Sequence, residues 1–96
     1  MLVVVSYDVS TKDPKGARRL RRVSKTCIDF GQRVQDSVFE CIVGPDQWTA
    51  LKLRLLDEYD PEEDSLRFYF LGAHFKKRIE HHGAKATVDL EGPLLV

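Results

Sequence analysis

Residues 2–8 read LVVVSYD and residues 31–41 read GQRVQDSVFEC, and these two stretches carry the strongest signals for the fold. The first is rich in β-branched residues and predicts a strand over Leu2–Asp8. The second opens an extended region, 32–43, in which apolar and polar residues are interspersed, as expected for two short strands or one bent strand. Between them, Asp13-Pro14 predicts the N-cap and first residue of a helix. The helix should end at Gly31, in the left-handed conformation that glycine favours.

This first helix is predicted to be two-faced. At 100° per residue its apolar side carries Ala17, Leu20, Val23 and Cys27. Its opposite side carries the cations Lys15, Arg18, Arg19, Arg22 and Lys25. An arginine presents a planar fork that matches phosphate oxygens, so this side is a candidate nucleic-acid-binding surface. Such crowded cations repel one another, and either nucleic acid or the protein's own acidic segment should meet them.

A second helix and a further strand follow. Gly44-Pro45 predicts the start of the helix, and Asp60-Pro61 predicts its end. Its buried side should carry Trp48, Leu51, Leu55 and Tyr59. Residues 62–64 indicate a solvated acidic loop, and alternation over 66–71 predicts the next strand. One more short strand is expected over Ala86–Leu90.

The order of elements is βαββαβ with a short extra C-terminal strand. It predicts a single α+β domain over 1–96, with the core in 1–72 and a tail in 73–96. Two helices covering one face of a four-stranded antiparallel sheet give the ferredoxin-like arrangement. Strands one and four are apolar on both sides, so the second face should be an apolar patch. A homodimer that packs sheet against sheet would cover it.

Composition narrows the class of protein further. The 96 residues are 43 % hydrophobic and 31 % charged, as in ordinary globular proteins. The longest apolar run, Met1 to Val5, is too short for a transmembrane helix or a signal peptide, and the two cysteines form no ligand motif, so a cytoplasmic protein without a membrane partner is expected. The net charge of zero hides a division: residues 12–33 hold eight basic residues against two acidic ones, whereas residues 36–64 hold nine acidic against two basic. A polarised surface of this kind can bind a polyanion on one side.

Asp8 is the most informative single residue, because it ends an apolar strand at the edge of a loop. A carboxylate there is a possible magnesium ligand. One aspartate alone is too few to hold the ion, but a two-fold dimer would supply a pair. The alternative is a turn-forming aspartate, which is common at strand ends. His74, His81 and His82 have no ligand spacing and read as an exposed polar tail. Phe68, Tyr69 and Phe70 lack the pattern of an RNA-recognition strand and are better explained by core packing.

Together these features resemble a known family. The strand end Val5-Ser6-Tyr7-Asp8, the basic helix and the 31–41 stretch are similar to the Cas2 family of small CRISPR-associated endonucleases. The similarity continues through the second helix and residues 66–72, so it covers about residues 1–72. The combination of the strand-end Tyr-Asp with Arg-Val-Gln-x-Ser-Val-Phe is more specific than either motif alone.

The resemblance implies a ferredoxin-like homodimer in which Asp8 of each subunit shares one Mg²⁺ or another divalent cation. It places Tyr7, Arg33, Ser37 and Phe39, with Arg18 or Arg19, in the active cleft. The implied activity is metal-dependent cleavage of RNA or double-stranded DNA during spacer acquisition in antiviral defence, with CRISPR integrase dimers as partners. The alternative is a dimeric scaffold without catalysis, which binds duplex DNA and bridges the integrase dimers.

Overall fold

The protein was analysed as a computed structural model, which describes residues 1–84. The elements in chain order are β1 (Leu2–Asp8), α1 (Pro14–Phe30), β2 (Gln32–Gln35), β3 (Val38–Ile42), α2 (Pro45–Glu58) and β4 (Ser65–Gly72). A single 3₁₀ turn, Phe75–Arg78, follows β4. The two predicted helices and the four predicted strands of this region are confirmed, and residues 32–43 form two strands. The expected strand Ala86–Leu90 lies outside the described residues.

The four strands form one antiparallel sheet in the order β2-β3-β1-β4. The first strand is therefore central, with Val5 opposite Phe39 of β3 on one side and Phe68 of β4 on the other. This order, with a helix after β1 and another after β3, is the ferredoxin-like fold that the sequence predicted. Asp8, the C-terminal residue of β1, pairs only with Ser65 of β4, because the pairing of β1 with β3 ends at Ser6.

One face of the sheet is covered by both helices. Alternate residues of β1 point to opposite faces, and Val3, Val5 and Tyr7 point to the helices. They pack in one buried cluster with Phe39 and Cys41 of β3, Val23 and Cys27 of α1, and Leu51 and Leu55 of α2. Both cysteines are free thiols within this core. The predicted apolar sides of the two helices are thus confirmed at their centres.

The helix boundaries follow local chemistry. The Asp13 carboxylate accepts the Gly16 N–H at 2.9 Å, as expected of an N-cap, and Pro14 is the first helical residue. The expectation of a left-handed Gly31 is wrong: its φ is −162°, an extended conformation. A Cβ at Gly31 would lie 2.9 Å from Cys41 Cα and closer still to the Glu40 carbonyl. The position requires glycine because α1 ends against β3.

The second face of the sheet, which the helices leave open, is more polar than expected. Val4 pairs with Glu40 and Tyr69, so these three side chains share that face. Ser6 pairs with Val38 and Arg67 in the same way. Val4 and Val38 are half-buried, whereas Tyr69 is exposed. The face therefore combines an apolar centre with charged positions at β3 and β4.

Within residues 1–84 neither helix is both long enough and apolar enough to cross a membrane.

Candidate nuclease site at the end of the central strand

The end of β1 separates two neighbouring side chains. Tyr7 is buried among the helices, whereas Asp8, the last strand residue, is exposed. Asp8 lies opposite Ser65 at the start of β4. Because consecutive strand residues point to opposite faces, the Asp8 carboxylate belongs to the open face of the sheet. The predicted metal ligand is thus accessible, on a rigid strand, and on the face that a second subunit would cover.

Tyr7 is fixed from several sides within the core. Its hydroxyl lies 2.8 Å from Ser24 Oγ on α1 and donates toward the Asp36 carbonyl at 3.4 Å. Its backbone N–H donates to the Ser37 carbonyl at 3.1 Å. Its ring is stacked near Phe39, with 6.1 Å between the centroids. These contacts lock the residue before Asp8 to α1 and to the turn between β2 and β3.

Arg33 occupies the helix side of the sheet edge. It pairs with Phe39 across β2 and β3, and its guanidinium carbon lies 5.1 Å from the centre of the Phe39 ring. A cation over an aromatic face is held by the ring's quadrupole. The structure therefore brings Tyr7, Ser37, Phe39 and Arg33 together. It does not bring Asp8 to the same face within one subunit.

Asp64 is the largest departure from the sequence analysis. The prediction of a solvated acidic loop is wrong for this residue, because its side chain is fully buried. Its carboxylate accepts the backbone N–H of Ser10 at 3.0 Å and that of Asp60 at 2.9 Å. It also accepts Nε and Nη2 of Arg19, at 2.8 and 3.1 Å. One carboxylate thus joins the loop after β1, the turn before β4 and helix α1.

Asp64 and Arg19 each stabilise the charged form of the other. The hydrogen bonds from Arg19 lower the pKa of Asp64, and the backbone N–H groups of Asp60 and Ser10 act in the same direction. The Asp64 hydrogen bond in turn raises the pKa of Arg19. Arg19 is therefore engaged by the acidic segment, and of the two candidate arginines only Arg18 stays exposed.

The remaining cations of the predicted basic surface divide into two groups. Lys25 pairs with Asp29 one turn further along α1, and Arg54 of α2 pairs with the same aspartate at 3.1 Å. Both contacts lower the pKa of Asp29, with the Lys25 hydrogen bond the larger cause. Lys15, Arg18 and Arg22 are exposed and have no ion pair among the described residues.

The donor set at Asp8 fits a magnesium ion only with help from a second chain. Across residues 1–84 no three His, Cys, Asp or Glu side chains converge on a metal-sized site. A single exposed carboxylate suits a cation that takes one or two carboxylates and keeps several waters.

His82 lies 2.6 Å from Glu80, and both are exposed, in agreement with a polar tail.

The expectation that the three aromatic residues of β4 pack in the core holds for Phe68 and is wrong for Tyr69, which lies exposed on the open face, and for Phe70, which is 56 % exposed. Phe68 and Phe70 meet the Trp48 ring edge to face, with centroids 4.9 and 5.3 Å away. Sequence reasoning missed Asp64 and Arg54, whose partners lie 45 and 25 positions away along the chain. The only local signal for Asp64 was its place directly before a strand, next to the residue that pairs with Asp8.

The protein is a ferredoxin-like α+β domain with an exposed aspartate at the end of its central strand. The family model for CRISPR associated protein Cas2 matches residues 1–79, and the chain belongs to that family. It is 62 % identical to a CRISPR-associated endoribonuclease Cas2 of Nitratidesulfovibrio vulgaris, over all of this chain and 94 % of that protein.

Two further relatives agree with this assignment. The chain is 55 % identical to a CRISPR-associated endonuclease Cas2 of Halalkalibacterium halodurans, over 99 % of both proteins. The crystal structure of Streptococcus pyogenes Cas2 at pH 6.5 superposes with a TM-score of 0.76 and 51 % identity, covering 86 % of this chain and all of that one. The family resemblance of the sequence is confirmed.

Proposed function

We propose that this protein is a magnesium-dependent endonuclease that cleaves RNA or DNA phosphodiesters. The observation that carries the proposal is the exposed Asp8 carboxylate at the end of the central strand. The names of the relatives, endoribonuclease and endonuclease, support the same activity. The substrate class follows from that family membership and from the cationic surface of α1.

The active unit in this proposal is a homodimer. One subunit contributes a single carboxylate at this position, and the open face of its sheet has a half-buried apolar centre at Val4 and Val38. Packing two such faces about a two-fold axis would bury these side chains and bring the two Asp8 residues toward each other. The metal site would then be complete only between the subunits.

The two Asp8 carboxylates would hold the ion. A bound Mg²⁺ supplies a Lewis acid for a phosphate oxygen and lowers the pKa of a coordinated water. Tyr7 and Phe39 act as positioning residues, because both are buried and Tyr7 is hydrogen-bonded through its hydroxyl and its backbone N–H. Ser37 fixes the Tyr7 backbone through its carbonyl oxygen. Arg33, held over Phe39, lies on the helix side of the sheet, so within one subunit it is on the opposite face from Asp8 and would meet only a phosphate that extends around the sheet edge.

A second function is favoured by a separate observation. Lys15, Arg18, Arg22 and Lys25 lie on α1, which packs against the other face of the sheet from Asp8. They can hold nucleic acid by its phosphates whether or not Asp8 cleaves anything. In that case the dimer is a scaffold for duplex DNA and for CRISPR integrase dimers in spacer acquisition, within the cytoplasm.

Asp8→Asn tests the enzymatic proposal. This substitution keeps the size of the side chain and removes two negative charges per dimer. Cleavage of RNA or duplex DNA with magnesium should fall by about a hundredfold or more, because a Lewis acid contributes several kcal/mol of charge stabilisation. Dimerisation and nucleic-acid binding in EDTA should be unchanged, since neither requires the ion.

The matched control is Asp57→Asn, which removes an exposed carboxylate from α2. It should cleave as the wild type does. Equal cleavage by wild type and Asp8→Asn across a magnesium titration would refute the nuclease proposal. Integrase binding and spacer capture that persist in Asp8→Asn, when its cleavage is lost, would establish the scaffold function beside it.

A further inference from the structure

A groove of about 320 Å³ lies between the two helices. It is lined by Arg18, Arg21, Arg22, Lys25 and Thr26 of α1 and by Arg54 and Glu58 of α2. Five of these side chains are cations and only one is an acid. The groove is therefore a strongly positive concavity built by two helices, rather than one charged side of a single helix.

Most of this charge is not neutralised by the protein. Arg18, Arg21 and Arg22 have no ion pair among residues 1–84, whereas Lys25 and Arg54 share Asp29. The acid of the lining, Glu58, has its Oε2 buried and without a hydrogen-bond donor among those residues. Its single charge leaves the lining with an excess of four positive charges.

The arrangement on α1 is unfavourable in the absence of an anion. Arg18 lies three residues from Arg21 and four from Arg22, and Lys25 lies four residues from Arg21 and three from Arg22. Side chains at these spacings are neighbours on a helix, and like charges there destabilise it. A polyanion in the groove would attract all of these cations and so offset the repulsion between them.

Arg54 supplies the second wall. Its Nη2 donates to Asp29 at 3.1 Å and toward Thr26 Oγ1 at 3.4 Å, so the guanidinium is turned across the groove to α1. Its carbon also lies 5.6 Å from the centre of the Phe30 ring. A cation held in this way loses less side-chain freedom when it binds a phosphate than an unattached one would.

The length of the groove matches a short piece of nucleic-acid backbone. Arg18 to Lys25 spans about 10 Å along α1, at about 1.5 Å per residue. One strand of a duplex presents a phosphate about every 3.4 Å of axial rise, and because the strand winds around the axis its phosphates are farther apart in space, so about two would face this length. Both helices lie on the side of the sheet opposite to Asp8.

We propose that the groove between α1 and α2 is a second nucleic-acid site, which holds about two consecutive phosphates of one strand away from the Asp8 site. The inference rests on the proposed nucleic-acid function and deepens it. It adds Arg21 and Arg54 to the binding residues and removes Arg19, which does not line the groove and is paired with the buried Asp64. It also separates the surface that binds from the surface that cleaves.

The test measures binding of a fluorescent 20-base-pair DNA duplex and a 20-nucleotide RNA in EDTA, across a salt series. The groove variant is Arg21→Gln with Arg22→Gln, and the control variant is Lys52→Gln with Lys77→Gln, which removes the same charge outside the groove lining. The groove variant should lose about tenfold or more in affinity for at least one ligand, and its slope of log affinity against log salt should fall by about two. The control should change by less than about twofold.

A single substitution then tests the wall from α2. Arg54→Gln should weaken binding more than Lys52→Gln on the same helix, and thermal unfolding of both verifies that they fold. Equal losses in the groove and control variants, or an Arg54→Gln affinity equal to that of Lys52→Gln, would overturn the proposal.

Asp8→Asn separates this inference from the nuclease proposal. Full binding by Asp8→Asn with weak binding by the groove variant supports two separate surfaces. Loss of cleavage in Asp8→Asn with wild-type binding by the groove variant refutes the groove and leaves the nuclease standing. Unchanged cleavage in Asp8→Asn with weak binding by the groove variant refutes the nuclease and leaves the groove standing.

Discussion

Arg19 donates two hydrogen bonds to the buried carboxylate of Asp64, through Nε at 2.8 Å and Nη2 at 3.1 Å. The same carboxylate accepts the N–H of Ser10, which lies two residues after Asp8. Asp64 also directly precedes Ser65, which pairs with Asp8 in the sheet. The Asp64 side chain therefore anchors the loop that follows Asp8, and Asp64 adjoins the strand residue that pairs with Asp8. A charge that the sequence assigned to phosphate binding serves instead to hold the end of the central strand.

Removal of this anchor should destabilise the fold. Asp64→Ala leaves two backbone N–H groups and a partly buried guanidinium without their acceptor, and the expected loss is about 2 kcal/mol in the free energy of unfolding. Thermal unfolding at a fixed protein concentration should show a decrease of about 10 °C. Glu63→Ala, at an exposed position of the same turn, should change the stability by less than about 0.5 kcal/mol. Equal effects of the two substitutions would contradict the anchoring role.

The same carboxylate should make stability depend on acid. Because the pKa of Asp64 in the folded protein is below its ordinary value of 3.8, the unfolded chain takes up the proton first as the pH falls. The stabilisation is complete above the ordinary pKa and is lost as the pH falls through the folded one. The difference in unfolding free energy between wild type and Asp64→Asn should be constant near neutrality and shrink below about pH 4. A difference that is independent of pH down to about pH 2 would count against the pair.

Gly31 should tolerate no side chain. Gly31→Ala places a Cβ against the β3 backbone and should destabilise by about 1–3 kcal/mol, as overpacking does. Gly31→Asn should not restore stability, because the requirement is steric and not a left-handed backbone. Gly44→Ala is the control, since the nearest atom to its Cβ would be 3.9 Å away. Denaturant unfolding of the three variants measures this, and a wild-type Gly31→Asn would disprove the steric explanation.

The open face of the sheet should mediate dimerisation. Wild-type protein should sediment at about twice the chain mass of 11.0 kDa at micromolar concentration. Val4→Lys puts a charge at the half-buried centre of that face and should give monomers, because burying an unpaired charge is unfavourable. Leu53→Lys alters a residue of α2 that is 62 % exposed and should leave the dimer intact. A monomeric wild type would refute the shared Asp8 site as well.

The secondary-structure elements and their order could be inferred from local signals in the sequence. β-branched residues in 2–8, the Asp13-Pro14 and Gly44-Pro45 starts, and the helical spacing of apolar residues each act within one or two turns of chain. These signals could therefore be recognised without the three-dimensional structure. The βαββαβ order then made the ferredoxin-like sheet the simplest arrangement. The resemblance of the strand-end Tyr-Asp and the 31–41 stretch also identified the family correctly.

Which cations are free, and which face of the sheet each candidate residue occupies, could not be inferred from the sequence. Arg19 and Arg22 are equivalent by sequence spacing, yet one is bonded to Asp64, 45 positions away, and the other faces solvent. Tyr7 and Asp8 are adjacent in sequence and lie on opposite faces of the sheet. The physical reason is that hydrogen bonds and ion pairs form between atoms brought within about 3 Å by packing, and separation along the chain does not encode that distance.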